Sequence, residues 1–197
     1  MPEGFSLIDR VIPPPNPYLG QYLLAANALD SSDNDYDLTT TGSVSFSNVG
    51  GFDCAGPFSV GNYFSTPAAL VTALNASNNW EIQCDVQFSN FGIFNTIIDV
   101  GYNDFFGSET GSGLMAWNDG NGPGGYFTGS TFLSLNTWYN VKFTWDGTTR
   151  KIYINGVLDG SSVSNGQTSG ATCLIGEHAA VGLPLPGYLR NLTFKLL

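Results

Sequence analysis

The stretch TWYNVKFTWDGTTRKIYINGVLDG, Thr137 to Gly160, carries two of the four tryptophans of a 197-residue chain. Its apolar residues fall at every second position. Tyr139, Val141, Phe143 and Trp145 share one face of an extended strand, because successive side chains point to opposite sides. Trp138, Asn140, Lys142 and Thr144 share the other. One dry face and one mixed face is the pattern of a sheet packed against a second sheet. Asp146-Gly147 marks a first turn, after which Ile152 and Ile154 point inward and Lys151 and Tyr153 outward. Asn155-Gly156 is a strong hairpin signal, since both central positions of a type I′ turn need positive φ. The chain returns through Val157 and Leu158. The stretch predicts a three-stranded antiparallel meander, and no catalytic role is needed to explain its residues.

The same reading extends outward. Strands are predicted at Ser43–Ser47, Phe58–Phe64, Trp80–Phe88, Thr96–Tyr102, Gly113–Trp117, Tyr126–Phe127, Thr172–Ile175 and Tyr188–Lys195. Only Ala68–Leu74 reads as a short helical turn. Charged residues make up 11%, aromatics 14%, and there are 25 glycines. Low charge with many aromatics and turn formers suits an all-β protein. Many short strands without long helices predict a two-sheet antiparallel β-sandwich. A chain of this length buries roughly 70% of its unfolded surface, so its core needs no staples.

Residues 1–20 differ in composition from the rest of the chain. Pro13, Pro14, Pro15 and Pro17 favour an extended polyproline conformation, and Phe5, Leu7, Ile8, Val11 and Ile12 need a surface to cover them. This segment reads as an arm that lies along its own domain or docks on neighbouring protein subunits. Residues 21–197 read as one domain. A net charge of −10 with six Lys and Arg argues against nucleic acid and against anionic membranes. The N-terminal stretch has neither a basic start nor a long apolar run. No secretory signal or membrane span is expected, and synthesis is expected to finish in the cytoplasm. Cys54, Cys84 and Cys173 are odd in number and form no CxxC pair, so they read as buried free thiols of a reducing compartment.

At Trp138, Val141, Asp146-Gly147 and Ile152-Tyr153-Ile154-Asn155-Gly156 the chain resembles the core meander of laminin-G-like, or concanavalin A-like, jelly-roll domains. LDSSDNDYDLTTTGSVSF is similar to that family's first loop and strand, with Asn34-Asp35 where a glycine-containing turn is common. CLIGEHAAVGLPLPGYLRNLTF is similar to its closing strands, with Ile175-Gly176 and Gly187-Tyr188-Leu189 in the expected order. The resemblance spans residues 24–196 and implies a two-sheet jelly roll. It implies no single function, because this fold serves lectins, glycosidases, adhesion modules and virion proteins.

Glycosidases of this superfamily set carboxylates on one strand, in a pattern such as Glu-x-Asp-x-x-Glu, so that an acid and a nucleophile share a face. WEIQCDVQF puts Glu81, Gln83, Asp85 and Gln87 on one face and Ile82, Cys84, Val86 and Phe88 on the other. Gln83 replaces the middle acid, and the letters read as the outward polar face of a strand. His178, the single histidine, follows Ile175-Gly176 in a Gly/Ala-rich turn and is expected to be solvated; no Gly-x-Ser-x-Gly elbow accompanies it. Asp30, Asp33, Asp35 and Asp37 in DSSDNDYD are candidate ligands for Ca2+, which takes about six to eight oxygens. Leu38 and Val44 stand where an EF-hand needs Gly and Glu, so the alternative is a plain acidic turn. LMAWNDGNGPGGYF is the candidate sugar loop, with Trp117 and Tyr126 as stacking platforms and Asn118 and Asp119 as polar partners. The alternative places Trp117 in the core. Tyr102, Asn103 and Asp104 form a similar cluster.

No acid pair or triad survives this reading, so a non-enzymatic protein is expected. Its first expected role is structural: a virion-surface component, such as a capsid decoration or tail fibre. It would dock through residues 1–20 as a homo-oligomer or lattice-bound subunit, with loops that grip cell-surface glycans. Laminin-G-like domains occur in phage decorations and tail fibres, which is what the resemblance implies. The alternative role is a carbohydrate-binding module or lectin domain of a cellular protein.

Overall fold

A computed structural model of the chain describes residues 15–101, 104–118, 126–163, 170–178 and 182–197. In chain order it begins β1 (Gly20–Tyr22), β2 (Thr39–Thr41), β3 (Phe46–Val49), β4 (Phe52–Ala55) and β5 (Tyr63–Ser65). The helix α1 (Ala68–Ala76) precedes β6 (Trp80–Phe88), β7 (Asn95–Val100), β8 (Asp104–Ser108), β9 (Leu114–Asn118) and β10 (Tyr126–Phe132). Then come β11 (Trp138–Trp145), β12 (Thr149–Ile154), β13 (Val157–Val163) and β14 (Cys173–Ile175). The chain closes with β15 (Glu177–His178), β16 (Leu183–Pro184) and β17 (Gly187–Leu196).

Two antiparallel sheets face each other. The larger runs β13-β12-β11-β6-β17-β4-β3, with β1 added beside β17. The smaller runs β10-β9-β8-β7-β14-β5-β2. This is the sandwich that the alternation predicts. The meander of Thr137–Gly160 is β11, β12 and β13, turned by Asn155 and Gly156 at φ 51° and 81°. Strand β11 pairs with β6 over its whole length, which sets Val141 opposite Cys84 and Phe143 opposite Ile82.

The dry faces meet in an aromatic centre. Ring centres lie 4.6 Å apart for Phe106 and Phe143, 4.5 Å for Phe106 and Trp117, and 5.7 Å for Trp80 and Trp117. Large rings bury the most area per residue and interlock at tilted or edge-on angles. Arg150 is buried among them, its guanidinium 5.3 Å from the ring centres of both Trp117 and Trp145 and 3.9 Å from Asp104 Oδ1. A charge persists in such a place only when it is paired. All three cysteines are free and buried, and burial pushes the Cys84 and Cys173 thiols up.

The departures from expectation have local causes. Strand β8 is absent from the expected strands, because four of its five residues are buried and no alternation marks it. Strand β7 is buried throughout, with the β15–β16 hairpin packed on it. Phe58–Phe64 does not run as one strand: Gly61 at φ 78° turns the chain between Ser59 and Asn62, and pairing starts at Tyr63. Of the expected arm, residues 15–19 lie on their own domain. Leu19 N donates to Phe194 O at 2.7 Å and Asn16 N to Asp33 Oδ2 at 3.0 Å, and Gly20 already belongs to β1. Residues 1–14 lie outside the described residues.

Candidate functional site

The outer side of the larger sheet carries a polar grid whose register is set by β6, β11 and β17. Its rows are Trp138–Gln87–Tyr188, Asn140–Asp85–Arg190, Lys142–Gln83–Thr193 and Thr144–Glu81–Lys195. Successive rows stand about 7 Å apart along the strands. Between Arg190 and Thr193 the register shifts, and Asn191 there takes φ 51°. A bulge inserts an extra residue and re-aims a side chain, and asparagine tolerates the left-handed conformation better than most.

Asp85 organises the centre of the grid. Its Oδ1 accepts from Asn140 Nδ2 at 2.8 Å, and its Oδ2 accepts from Asn191 Nδ2 at 2.8 Å. Arg190 Nε lies 3.2 Å from the same Oδ2, an ion pair without hydrogen-bond alignment. Gln83 Nε2 donates to Asn140 Oδ1 at 3.0 Å. The side-chain oxygens of Gln83 and Asn191 keep no protein donor among the described residues. Here a depression of about 290 Å³ opens, lined by Tyr18, Gln21, Gln83, Asp85, Asn140 and Asn191. On β17 Arg190 lies against two rings, 3.8 Å from the centre of Phe52 and 5.2 Å from that of Trp138. On β11 Lys142 meets Glu81 at 3.3 Å and lies 4.7 Å from the Tyr153 ring centre.

Glu81 and Asp85 share a face as predicted, each held by a different cation: Glu81 Oε2 lies 3.3 Å from Lys142 Nζ and Asp85 Oδ2 lies 3.2 Å from Arg190 Nε.

The structure places Trp117 in the core, the alternative that the sequence left open. Trp117 is 1% exposed, and its Nε1 donates to Asp104 Oδ1 at 2.9 Å. A ring enclosed by Trp80, Phe106 and Phe143 offers no face to a sugar. Asn118 is half-buried at the end of β9, and Asp119 lies outside the described residues. Tyr126 is 41% exposed and donates to Glu109 Oε1 at 3.1 Å. Burial, then the hydrogen bond and charge of Glu109, push its phenol up to about 12. Tyr102 and Asn103 lie outside the described residues, and Asp104 is buried.

In the acidic loop Asp30, Asp33 and Asp37 accept hydrogen bonds from the chain. Asp30 Oδ1 accepts from Gln21 N at 2.8 Å and Ser32 N at 2.9 Å; its Oδ2 accepts from Ser32 Oγ at 2.7 Å and Tyr36 N at 2.9 Å. A carboxylate has about four lone-pair sites, and these are filled. Desolvation pushes its pKa up, but the bonds from Ser32, Gln21 and Tyr36 outweigh it and hold the carboxyl below its usual range. Asp37 Oδ1 takes the Asp30 N–H at 2.8 Å, Asp33 takes that of Asn16, and Asp35 sits in a turn at φ 54°. Among the described residues no three acidic, histidine or cysteine side chains converge as metal ligands. Asp30 ties the loop to β1 through Gln21, and Asp33 ties it to Asn16.

His178 is also corrected. It is 6% exposed, its Nδ1 lies 2.8 Å from Asp99 Oδ2, and its ring stacks on Phe105 at 4.7 Å. Glycines and alanines around it signal a turn, but the β15–β16 hairpin lays that turn on β7.

Among solved structures, the chain is similar to domain 4 of AbnA, a GH43 extracellular arabinanase from Geobacillus stearothermophilus, in complex with arabinotriose. Identity there is 16% and the TM-score 0.68, over 91% of this chain and 92% of that one. It is similar to the binding domain of botulinum neurotoxin DC in complex with SialylT, at 17% identity and TM-score 0.66, over 92% and 48%. It is also similar to the binding domain of Paraclostridial Mosquitocidal Protein 1, at 11% and 0.68, over 91% and 48%. The chain thus spans about half the length of these toxin domains. At such identities the likeness is one of fold. No curated protein matches the sequence. The family model of the concanavalin A-like lectin/glucanases superfamily matches residues 39–194, from the first residue of β2 into β17. With every strand of the two sheets except β1 falling in that match, β17 all but its last two residues, the chain belongs to the concanavalin A-like lectin/glucanases superfamily.

Proposed function

We propose that this chain is a non-enzymatic carbohydrate-binding domain that seats a sugar on the outer face of its larger sheet, around Asp85. The Asp85 carboxylate carries the reading. It fixes Asn140 and Asn191 from both sides, and Asn140 in turn fixes Gln83. Side-chain amides offer donors and acceptors together, which matches neighbouring sugar hydroxyls. Groups already held in place cost little ordering on binding. A depression with a few convergent polar groups is where a small ligand is best recognised. The arabinanase domain solved with arabinotriose and the toxin domain solved with SialylT support a glycan as ligand.

A glycan array followed by titration calorimetry tests it. Asn140→Ala and Asn191→Ala each remove a fixed amide. Each is expected to weaken binding about tenfold, or about 1.4 kcal/mol, and Asn191→Ala also to lower Tm, because alanine takes φ 51° less readily than asparagine. Undiminished affinity in the double variant would reject this face as the site.

A second reading makes the domain a subunit of a larger assembly, a virion surface among them. It is favoured by Phe132, Val157 and Val163, exposed on the edge strands β10 and β13. Sedimentation of the full chain tests it: a monomer at every concentration removes self-assembly.

A further inference from the structure

Building on the glycan reading, we propose that the sugar this face selects is an acidic one, its carboxylate held by the two Nη atoms of Arg190. That guanidinium is already fixed. Its Nε edge lies 3.2 Å from Asp85 Oδ2, and its plane lies 3.8 Å from the Phe52 ring centre and 5.2 Å from that of Trp138. Trp138 is itself anchored, donating through Nε1 to Val49 O at 3.3 Å. Among the described residues only Asp85 pairs with Arg190, through Nε, and the side chain keeps 21% of its surface exposed. A planar fork held by its face and one edge, with its Nη groups bonded to none of the described residues, is the arrangement that takes a carboxylate in two parallel hydrogen bonds.

Position and charge agree with this. Arg190 shares a row with Asn140 and Asp85, so a sugar seated on the amides presents a substituent to the fork. Asp85 does not compete for that place, since Asn140 and Asn191 occupy its oxygens. The chain carries −10 overall with six Lys and Arg. Three of these cations, Lys142, Arg190 and Lys195, stand in the grid against two carboxylates, Glu81 and Asp85. Lys142 is committed to Glu81, whereas Lys195 makes no ion pair among the described residues. A local excess of positive charge on an acidic protein favours the approach of an anion. A neutral sugar needs none.

The test is calorimetry on the full chain with 3′-sialyllactose, its methyl ester and lactose, and in parallel with trigalacturonate and its methyl ester. The two acids represent the two sources of a sugar carboxylate, sialic acid and uronate. One acid is expected to bind about tenfold tighter than its own ester, an advantage that shrinks in high salt and is lost in Arg190→Gln. That variant also loosens the Phe52 and Trp138 stack, so the ester comparison on the unaltered chain decides. Esters that bind as tightly as their acids, or a neutral glycan preferred over both, overturn the acidic preference and leave the glycan site standing. If neither acid nor any glycan binds, both readings fall.

Discussion

Trp117→Ala separates a core tryptophan from a sugar platform. The ring is 1% exposed and lies 4.5 to 6.2 Å, centre to centre, from Trp80, Phe106, Phe127 and Phe143. Burying a tryptophan takes on the order of 200 Å² from water, worth about 5 kcal/mol at roughly 25 cal/mol per Å². Partial collapse of the neighbours returns some of this, and large-to-small core changes cost about 3–5 kcal/mol. The substitution also takes the Nε1 donor from Asp104, at 2.9 Å, and one of the two rings beside the buried Arg150. These losses overlap, so we expect about 5 kcal/mol in total. For a domain of this size each kcal/mol moves Tm by about 2–4 °C, which predicts a fall of about 10–20 °C. Urea unfolding followed by circular dichroism and a calorimetric melt measure it, and glycan affinity of the folded variant in the cold should be unchanged. A Tm loss of only a few degrees together with abolished glycan binding would show that the ring works at the surface, and would refute its placement in the core.

His178→Ala removes the 2.8 Å contact between two buried side chains, His178 and Asp99, and is expected to cost about 1–3 kcal/mol in urea unfolding; a solvated histidine would cost almost nothing. Tyr126 has a folded-state pKa raised from 10.0 to about 12. The stability it lends is full below pH 10 and is lost as pH rises through 12, so Tyr126→Phe should flatten the alkaline limb of the stability curve there and nowhere else. Millimolar Ca2+ should leave Tm unchanged, because a ligand that binds only the folded state must raise it; a saturable rise would mean that Asp30, Asp33, Asp35 and Asp37 do converge on an ion.

Alternation alone was enough to place Gln83, Asp85, Asn140 and Lys142 on the outside and Ile82, Cys84, Val141 and Phe143 within. That parity belongs to each strand by itself, since neighbouring side chains of an extended chain must point oppositely. Where a strand is buried on both sides the parity falls silent. In Leu114–Asn118 the three middle residues are all buried, so the letters could not say which way Trp117 faced. His178 read as solvent-exposed because turn residues look alike whether the turn hangs in water or lies on a strand.

The candidate site depended on pairings between distant parts of the chain. Asp85 meets Asn140 because β11 lies beside β6, and it meets Asn191 because β17 lies on the other side and bulges there. Phe52 reaches Arg190 from a hairpin more than a hundred residues earlier in the chain. Which side of a strand faces out is a local property of period two, and one chain of letters contains it. Which strand stands next to it, in what register and with what bulge, is settled only when separate segments compete to bury their dry faces together.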